Sequence, residues 1–267
     1  MAIFQARMGS TRLPKKMMID IMGKPLIWHV FNRVKRAKLI DEIVIATTTD
    51  KEDDIIEKWA RENGLKCHRG STEDVLDRFY QAAKKYKADI IVRITPDDPL
   101  KDPVVIDKII KHYLDNEGKI DYVSNTIKPT YPEGLDVEVF SFDALERAWK
   151  EAKTKVDREH VTTYIWNNPS KFRLANVTHE GGDLSHMRWT VDYAEDVEFI
   201  REIYARLYRK NKIFLMEDVL NLLKKCPELT NINSGHVRFE GYLSKLKMQQ
   251  HKKGERGYPC GGRKKRT

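Results

Sequence analysis

The sequence predicts an α/β protein in which a mostly parallel central sheet is covered by helices on both faces. Short apolar segments such as 42–47 (EIVIAT) and 88–94 (ADIIVRI) alternate with amphipathic segments of helical length, the order that βαβ units produce. Those strands are apolar on both sides, as strands buried between two helical layers are. From Tyr131 onward the alternation changes, which predicts a small inserted subdomain over about 125–185 that covers one side of the site.

Residues 2–5 read as a short first strand, followed by a polar, glycine-containing loop over 6–16. Pro25 opens an amphipathic helix over 26–38, with Leu26, Ile27, Val30, Val34 and Ala37 on one face. Strand 42–47 follows, then a helix over 52–63 that Gly64 suits as a C-cap, and a short strand at 65–68. Ser71 or Thr72 can cap the next helix, 73–86. Strand 88–94, a helix over 103–116 and an extended piece at 122–124 complete the regular part. Residues 135–140 alternate as an exposed-edge strand would, 142–152 is helical, and 173–177 and 187–191 read as further strands. Helices over 194–208 and 216–225 follow. With no internal repeat and no linker within 1–240, the simplest organisation is a single Rossmann-like domain over 1–243, then a tail.

A net charge of +9 suggests nucleic acid until it is located. Residues 251–267 carry seven basic residues against Glu255, so the rest of the chain holds only +3. This Gly-rich tail, 244–267, has no apolar periodicity and reads as disordered beyond 251. A basic tail gives at most salt-sensitive, nonspecific binding, and the body has no recognition-helix signature, so nucleic acid is not an expected partner. A non-catalytic nucleic-acid-binding protein is the distant alternative. Cys67, Cys226 and Cys260 lack paired spacing, which predicts a reduced, cytoplasmic protein without a zinc site. No apolar run approaches the roughly 20 residues of a membrane span, and no signal peptide is expected before the first strand.

The densest chemical signal is QARMGSTRLPKK (5–16), between the first strand and first helix. Doubly wound folds bind nucleotides at the carboxyl ends of their strands. Gly9 allows close backbone approach, Ser10 and Thr11 supply hydroxyls, and Arg7, Arg12, Lys15 and Lys16 supply positive charge for a polyphosphate. The loop matches neither G-x-G-x-x-G nor the P-loop pattern.

This loop, with DIMGKPLI (20–27), resembles the opening of the cytidylyltransferases that make CMP-activated sugar acids, and is closest to their spore-coat-polysaccharide SpsF-like branch. The resemblance continues through HRGSTEDVLDRFYQAA (68–83), RITPDDPL (93–100), YPEGLDVEVFS (131–141), REHVT (158–162), RWTVDYAEDV (188–197) and INSGHVRFEGYL (232–243). It spans almost everything except the basic tail, and implies a nucleotide-diphospho-sugar transferase-like fold and a homodimer. Lys15 departs from the usual glycine of that loop, so it must adopt that position's backbone conformation or bend the loop differently.

The resemblance implies transfer of CMP from CTP onto a small acidic or phosphorylated acceptor, with release of pyrophosphate. Surface polysaccharide or cell-envelope biosynthesis is the implied setting. Asp97, in the turn after strand 88–94, and Asp192, past 187–191, match the family's metal ligands. Mg²⁺ takes oxygen ligands, typically one or two carboxylates plus substrate phosphates. N-capping remains the alternative for Asp98 and for Asp192. The resemblance makes Arg12, Lys16 and Asp97 the expected catalytic set, with Arg12 and Lys16 on the β- and γ-phosphates. The backbone of Ala6 and Arg7 would read the base edge, while Arg78 and Thr95 are further nucleotide-site candidates.

On the acceptor side, Asp136 and Glu138 alternate with Val137 and Val139, which points both carboxylates to one face of a strand. A solvated strand face is the plain alternative. The resemblance places Asp136 near the acceptor with Asn125 nearby, and sets Arg158 and His160 in the acceptor region. A different NTP, or an amino-acid-like or alditol phosphate acceptor, remains open.

Overall fold

A computed structural model describes residues 1–209 and 212–236, with 238, 240 and 243. Its strands are β1 (Ala2–Gln5), β2 (Asp20–Ile21), β3 (Lys24–Pro25), β4 (Ile43–Thr48), β5 (Lys66–Gly70), β6 (Ile90–Ile94), β7 (Tyr122–Ser124), β8 (Glu138–Ser141) and β9 (Leu174–Asn176). The helices are α1 (Leu26–Val34), α2 (Asp54–Glu62), α3 (Val75–Lys85), α4 (Pro103–Leu114), α5 (Phe142–Glu151), α6 (Lys155–His160), α7 (Thr163–Trp166), α8 (Ala194–Leu207) and α9 (Met216–Lys225). Met1–His236 pack as one unit. The predicted tail, 244–267, lies outside the described residues.

The main sheet runs β5-β4-β1-β6-β8-β7-β9. Every strand in it is parallel except β8, which pairs antiparallel with both β6 and β7. Side chains alternate across a strand, and the two apolar clusters divide accordingly. Ala2, Phe4, Ile45 and Ile94 bury on one face with residues of α1, α4, α8 and α9. Ile3, Val44, Ala46 and Ile91 bury on the other with residues of α3 and α5. The helix layers on both faces follow from strands that carry no polar face.

Three local expectations need correction. Residues 135–140 do not form an exposed edge: β8 starts at Glu138 and lies inside the sheet, between β6 and β7. Its polar alternation is answered by protein, since Glu138 pairs with Arg93 on β6 and accepts from the Tyr122 hydroxyl at 2.9 Å on β7. Residues 187–191 form no strand; a single bridge joins Arg188 to Glu133. Gly134 passes so close there that a β-carbon would sit 2.7 Å from the Trp189 carbonyl group, a position only glycine fills. Finally, α3 is capped by Asp74, which accepts from Asp77 N at 2.9 Å, while Ser71 only supports Asp74 itself. The stretch 125–185 supplies β8 and β9 to the main sheet, with α5–α7 between them.

Candidate active site

The loop over 6–16 leaves β1 at its carboxyl end and is folded around Met8. The Met8 carbonyl accepts from Ser10 N at 2.8 Å and Lys15 N at 3.3 Å, and the Met8 N–H donates to Asp53 Oδ1 at 2.6 Å. Lys15 takes φ 57°, ψ 22°: the left-handed conformation expected of a glycine is present although the residue is lysine. The backbone then turns into the short helical turn Lys16–Met18 and aims Lys16 inward.

Lys16 is the hub of the site. Its ammonium donates to Asp97 Oδ2 at 2.6 Å, Asp192 Oδ1 at 2.8 Å and the Val191 carbonyl at 3.0 Å. Burial alone would depress its pKa, but Asp97 and Asp192 outweigh burial and raise it. Burial correspondingly pushes the Asp97 carboxyl up, and Lys16 more than reverses this. Arg12 adds a second cation, its Nη2 lying 2.7 Å from Asp192 Oδ1 and its guanidinium 5.4 Å over the Tyr193 ring. Val191 N donates to the Asp97 carbonyl at 2.9 Å, which ties the two acidic segments together. Arg12, Lys16, Asp97 and Asp192, far apart in sequence, thus converge on one point.

Adjacent Asp98 faces elsewhere. It accepts from the Thr95 hydroxyl and lies 2.9 Å from the fully buried Lys101 ammonium. Its pKa is pushed up to about 6, by burial first, against the pull of Lys101, with Asp97 and Asp136 adding to the rise. The Thr95 hydroxyl is thus engaged by Asp98.

On the nucleotide side, Ala6 N donates to the Ala46 carbonyl at 3.1 Å, so its N–H belongs to the sheet. Arg78 is 2% exposed; its Nη1 donates to the Ser71 carbonyl at 2.9 Å and its Nε has no partner among the described residues. Burial, and then the nearby Arg7 charge, bring its pKa down to about 10. Two neighbouring guanidiniums, one buried, define a place that favours an anion. Gly9 packs against Glu52, whose Oε1 would lie 2.8 Å from a β-carbon there. Ser10 Oγ accepts from Leu13 N at 3.3 Å, and Thr11 is exposed.

The acceptor residues are less well gathered. Asn125 is buried and clips backbone together, donating to the Leu135 carbonyl at 2.8 Å and accepting from Val137 N at 2.9 Å. Glu138 is committed to Arg93 and Tyr122, inside the sheet. Arg158 grips Asp74 through Nε and Nη2, at 2.6 Å for the latter, and gives Nη1 to the Trp149 carbonyl at 2.6 Å. In this structure the polar groups of these three are engaged by protein. Asp136 is half-buried, with its carbonyl on Lys101, and His160 ends α6.

Sequence reasoning missed two supports. Arg188 fans out to Asp196, Glu133 and Asp192 and braces the turn that carries Asp192. Asp53 holds Met8 from behind. Arg188 lies in a quoted motif and was within reach; nothing local marks Asp53 among the acids of 50–54. Asp97, in the turn after β6, and Asp192, in the turn before α8, address the same ammonium, and two such carboxylates suit a Mg²⁺ ion that shares its shell with phosphate oxygens. Among the described residues no cluster of three or more metal-ligating side chains occurs, and no helix is long and apolar enough to cross a membrane.

A mostly parallel sheet with a basic loop after its first strand, facing two carboxylates, is the arrangement of a nucleotidyltransferase. Residues 1–248 match the cytidylyltransferase family, and the chain belongs to it. It is 40% identical over 248 residues to an uncharacterised protein of Methanocaldococcus jannaschii, covering 90% of this chain and 96% of that one. It is 32% identical to the spore coat polysaccharide biosynthesis protein SpsF of Bacillus subtilis, covering 85% and 94% respectively. A solved cytidylyltransferase structure from Leptospira borgpetersenii superposes with TM-score 0.82 at 32% identity, covering 90% of this chain and 98% of that one.

Proposed function

We propose that this enzyme moves CMP from CTP, with Mg²⁺, onto a small acidic or phosphorylated sugar-like acceptor in surface-polysaccharide or cell-envelope synthesis. The observation that carries the reading is the convergence of Lys16 and Arg12 on Asp97 and Asp192. The acceptor oxygen attacks the α-phosphorus in line, forming an O–P bond as the bond to pyrophosphate breaks and the electron pair leaves with it. Catalysis of this kind is mostly positioning and electrostatics. Lys16 and Arg12 leave their carboxylates for the β- and γ-phosphates. Asp97 and Asp192 would hold Mg²⁺, which neutralises phosphoryl oxygens when bound. Arg7 and Arg78 supply further positive charge to the nucleotide, while Gly9, Ser10 and Thr11 line its approach.

Base choice follows from Ala6. With its N–H given to Ala46, the group it has for a base is its carbonyl. An acceptor matches the N4 amino donor of cytosine and opposes the O4 acceptor of uracil. A mispaired buried polar group costs about 1–3 kcal/mol, or roughly ten- to hundredfold in discrimination. The family resemblance adds a homodimer to the proposal, and the unpaired cysteine spacing adds a cytoplasmic setting.

The test is competition of unlabelled NTPs against CTP binding, followed by a pyrophosphate-release screen across sugar acids, phosphorylated polyols and amino acids. CTP should exceed UTP by at least about tenfold. Equal competition by UTP or ATP removes the cytidylyl reading, and turnover only with an amino acid or alditol phosphate replaces the sugar-like acceptor.

A further inference from the structure

Behind the nucleotide loop sits a buried carboxylate that the chemistry above does not use. Asp53 is 1% exposed, in the short helical turn Lys51–Asp53 that follows β4. Its Oδ1 accepts the Met8 N–H at 2.6 Å and its Oδ2 accepts the Thr48 hydroxyl. Thr48 is fixed in turn: its Oγ1 accepts from Asp50 N at 3.1 Å, and its carbonyl accepts from Arg69 Nε at 2.7 Å. A rigid line of bonds therefore runs from the β4–α2 junction to one peptide N–H of the loop.

That peptide is the point on which the loop depends. The Met8 carbonyl receives both Ser10 N and Lys15 N, so the position of residue 8 sets where the chain re-enters before Lys16. On the other side, Met8 N belongs to the peptide that follows Arg7, one residue from Ala6. Moving this peptide moves the backbone assigned to the base and the start of Lys16 together. The neighbouring Glu52 presses on Gly9, so the same short turn touches the loop twice. Burying a carboxylate is costly unless it is hydrogen-bonded or paired, and here its partners are a loop amide and a threonine hydroxyl.

We infer that Asp53 is a positioning residue for nucleotide selection, holding the Met8 peptide so that the Ala6–Arg7 backbone meets the base in one register. This rests on the base-reading role proposed for that backbone. Removing the carboxylate leaves the Met8 N–H unanswered and frees the loop to shift, which weakens nucleotide binding and blurs base choice. Chemistry at the α-phosphorus, carried by other residues, is affected less.

The experiment compares Asp53→Ala, Asp53→Asn and Thr48→Val with wild type in steady-state kinetics with CTP and UTP, alongside thermal unfolding. Asp53→Ala should raise KM for CTP about ten- to hundredfold, with a smaller change in kcat, and lower the CTP-to-UTP ratio of kcat/KM about tenfold. Asp53→Asn keeps an acceptor oxygen for Met8 and should recover most of both. Thr48→Val, which leaves Met8 paired but loosens Asp53, should fall between them, and it decides the matter if Asp53→Ala does not fold. An unchanged CTP-to-UTP ratio in folded variants overturns the inference, even if Tm drops, because the role is then structural only. A wild-type enzyme that prefers another nucleotide overturns the CMP reading instead, and the same comparison is then made with that nucleotide against CTP.

Discussion

Replacing Lys16 with methionine tests the charge exchange at the centre of the site. The Lys16 ammonium lies between Asp97 and Asp192, at 2.6 and 2.8 Å. A divalent ion arriving alone must displace it from both carboxylates, with no phosphate to receive it. Hydrogen bonds to charged groups are worth about 1.5–3 kcal/mol each, and about 1.4 kcal/mol is tenfold in affinity. Arg12 still covers Asp192 Oδ1 at 2.7 Å, so part of the competition survives the change. Lys16→Met should therefore tighten metal binding without nucleotide by about ten- to hundredfold, while abolishing most turnover. Lys16→Arg, which keeps a cation at the carboxylates, should stay near wild type in metal affinity. Mn²⁺ suits the same oxygen ligands as Mg²⁺, and electron paramagnetic resonance of free Mn²⁺ reads the titration directly. Tight Mn²⁺ binding by the wild-type protein alone would refute the reasoning. So would a Lys16→Met variant that binds Mn²⁺ no better than wild type.

His29 is 1% exposed, lies 2.6 Å from the Ile21 carbonyl, to which its Nε2–H donates, and stacks edge-on against Tyr204. Burial, with Arg33 adding, brings its pKa down from 6.5 to about 4. The unfolded chain then binds a proton that the folded one refuses, so stability is lost as pH falls from 6.5 towards 4, by up to about 3 kcal/mol. Urea unfolding at several pH values should show that slope reduced in His29→Gln, and equal slopes in both proteins would contradict it. Lys15 holds φ 57°, which costs an L-residue about 1–2 kcal/mol, partly offset because glycine has more entropy to lose. Lys15→Gly should be neutral or stabilising by up to about 1 kcal/mol, and Lys15→Val destabilising; a lower Tm for the glycine variant would refute this.

Much of the frame was legible because it rests on local signals. Residues 2–5, 42–47 and 88–94 are too apolar to tolerate a wet face, and each became a strand of the main sheet within one or two residues of its expected bounds. Several helices begin where the chain offers a cap or a proline, as Asp102 and Pro103 do for α4 and Ser141 does for α5. The basic loop was conspicuous for the same reason, since four cations and a glycine in one turn have few other uses. Reading 135–140 as an edge strand failed because alternation reports polarity, and polarity is satisfied as well by a buried Arg93 as by water.

What the amino-acid order determined by itself was the layered, mostly parallel sheet and the basic, glycine-containing loop after its first strand, whereas the left-handed bend at Lys15 was one of two courses the sequence left open. Only the tertiary structure shows which groups each carboxylate meets. Asp97 and Asp98 are adjacent and alike in sequence, yet one meets Lys16 from 81 residues away and the other is absorbed by Thr95 and Lys101. Asp192 reaches the same ammonium across 176 residues, and Asp53 reaches Met8 across 45. Strand and helix periods are written in neighbouring residues, whereas the partner of a buried charge is set by which segments the packed sheet brings within about 3 Å.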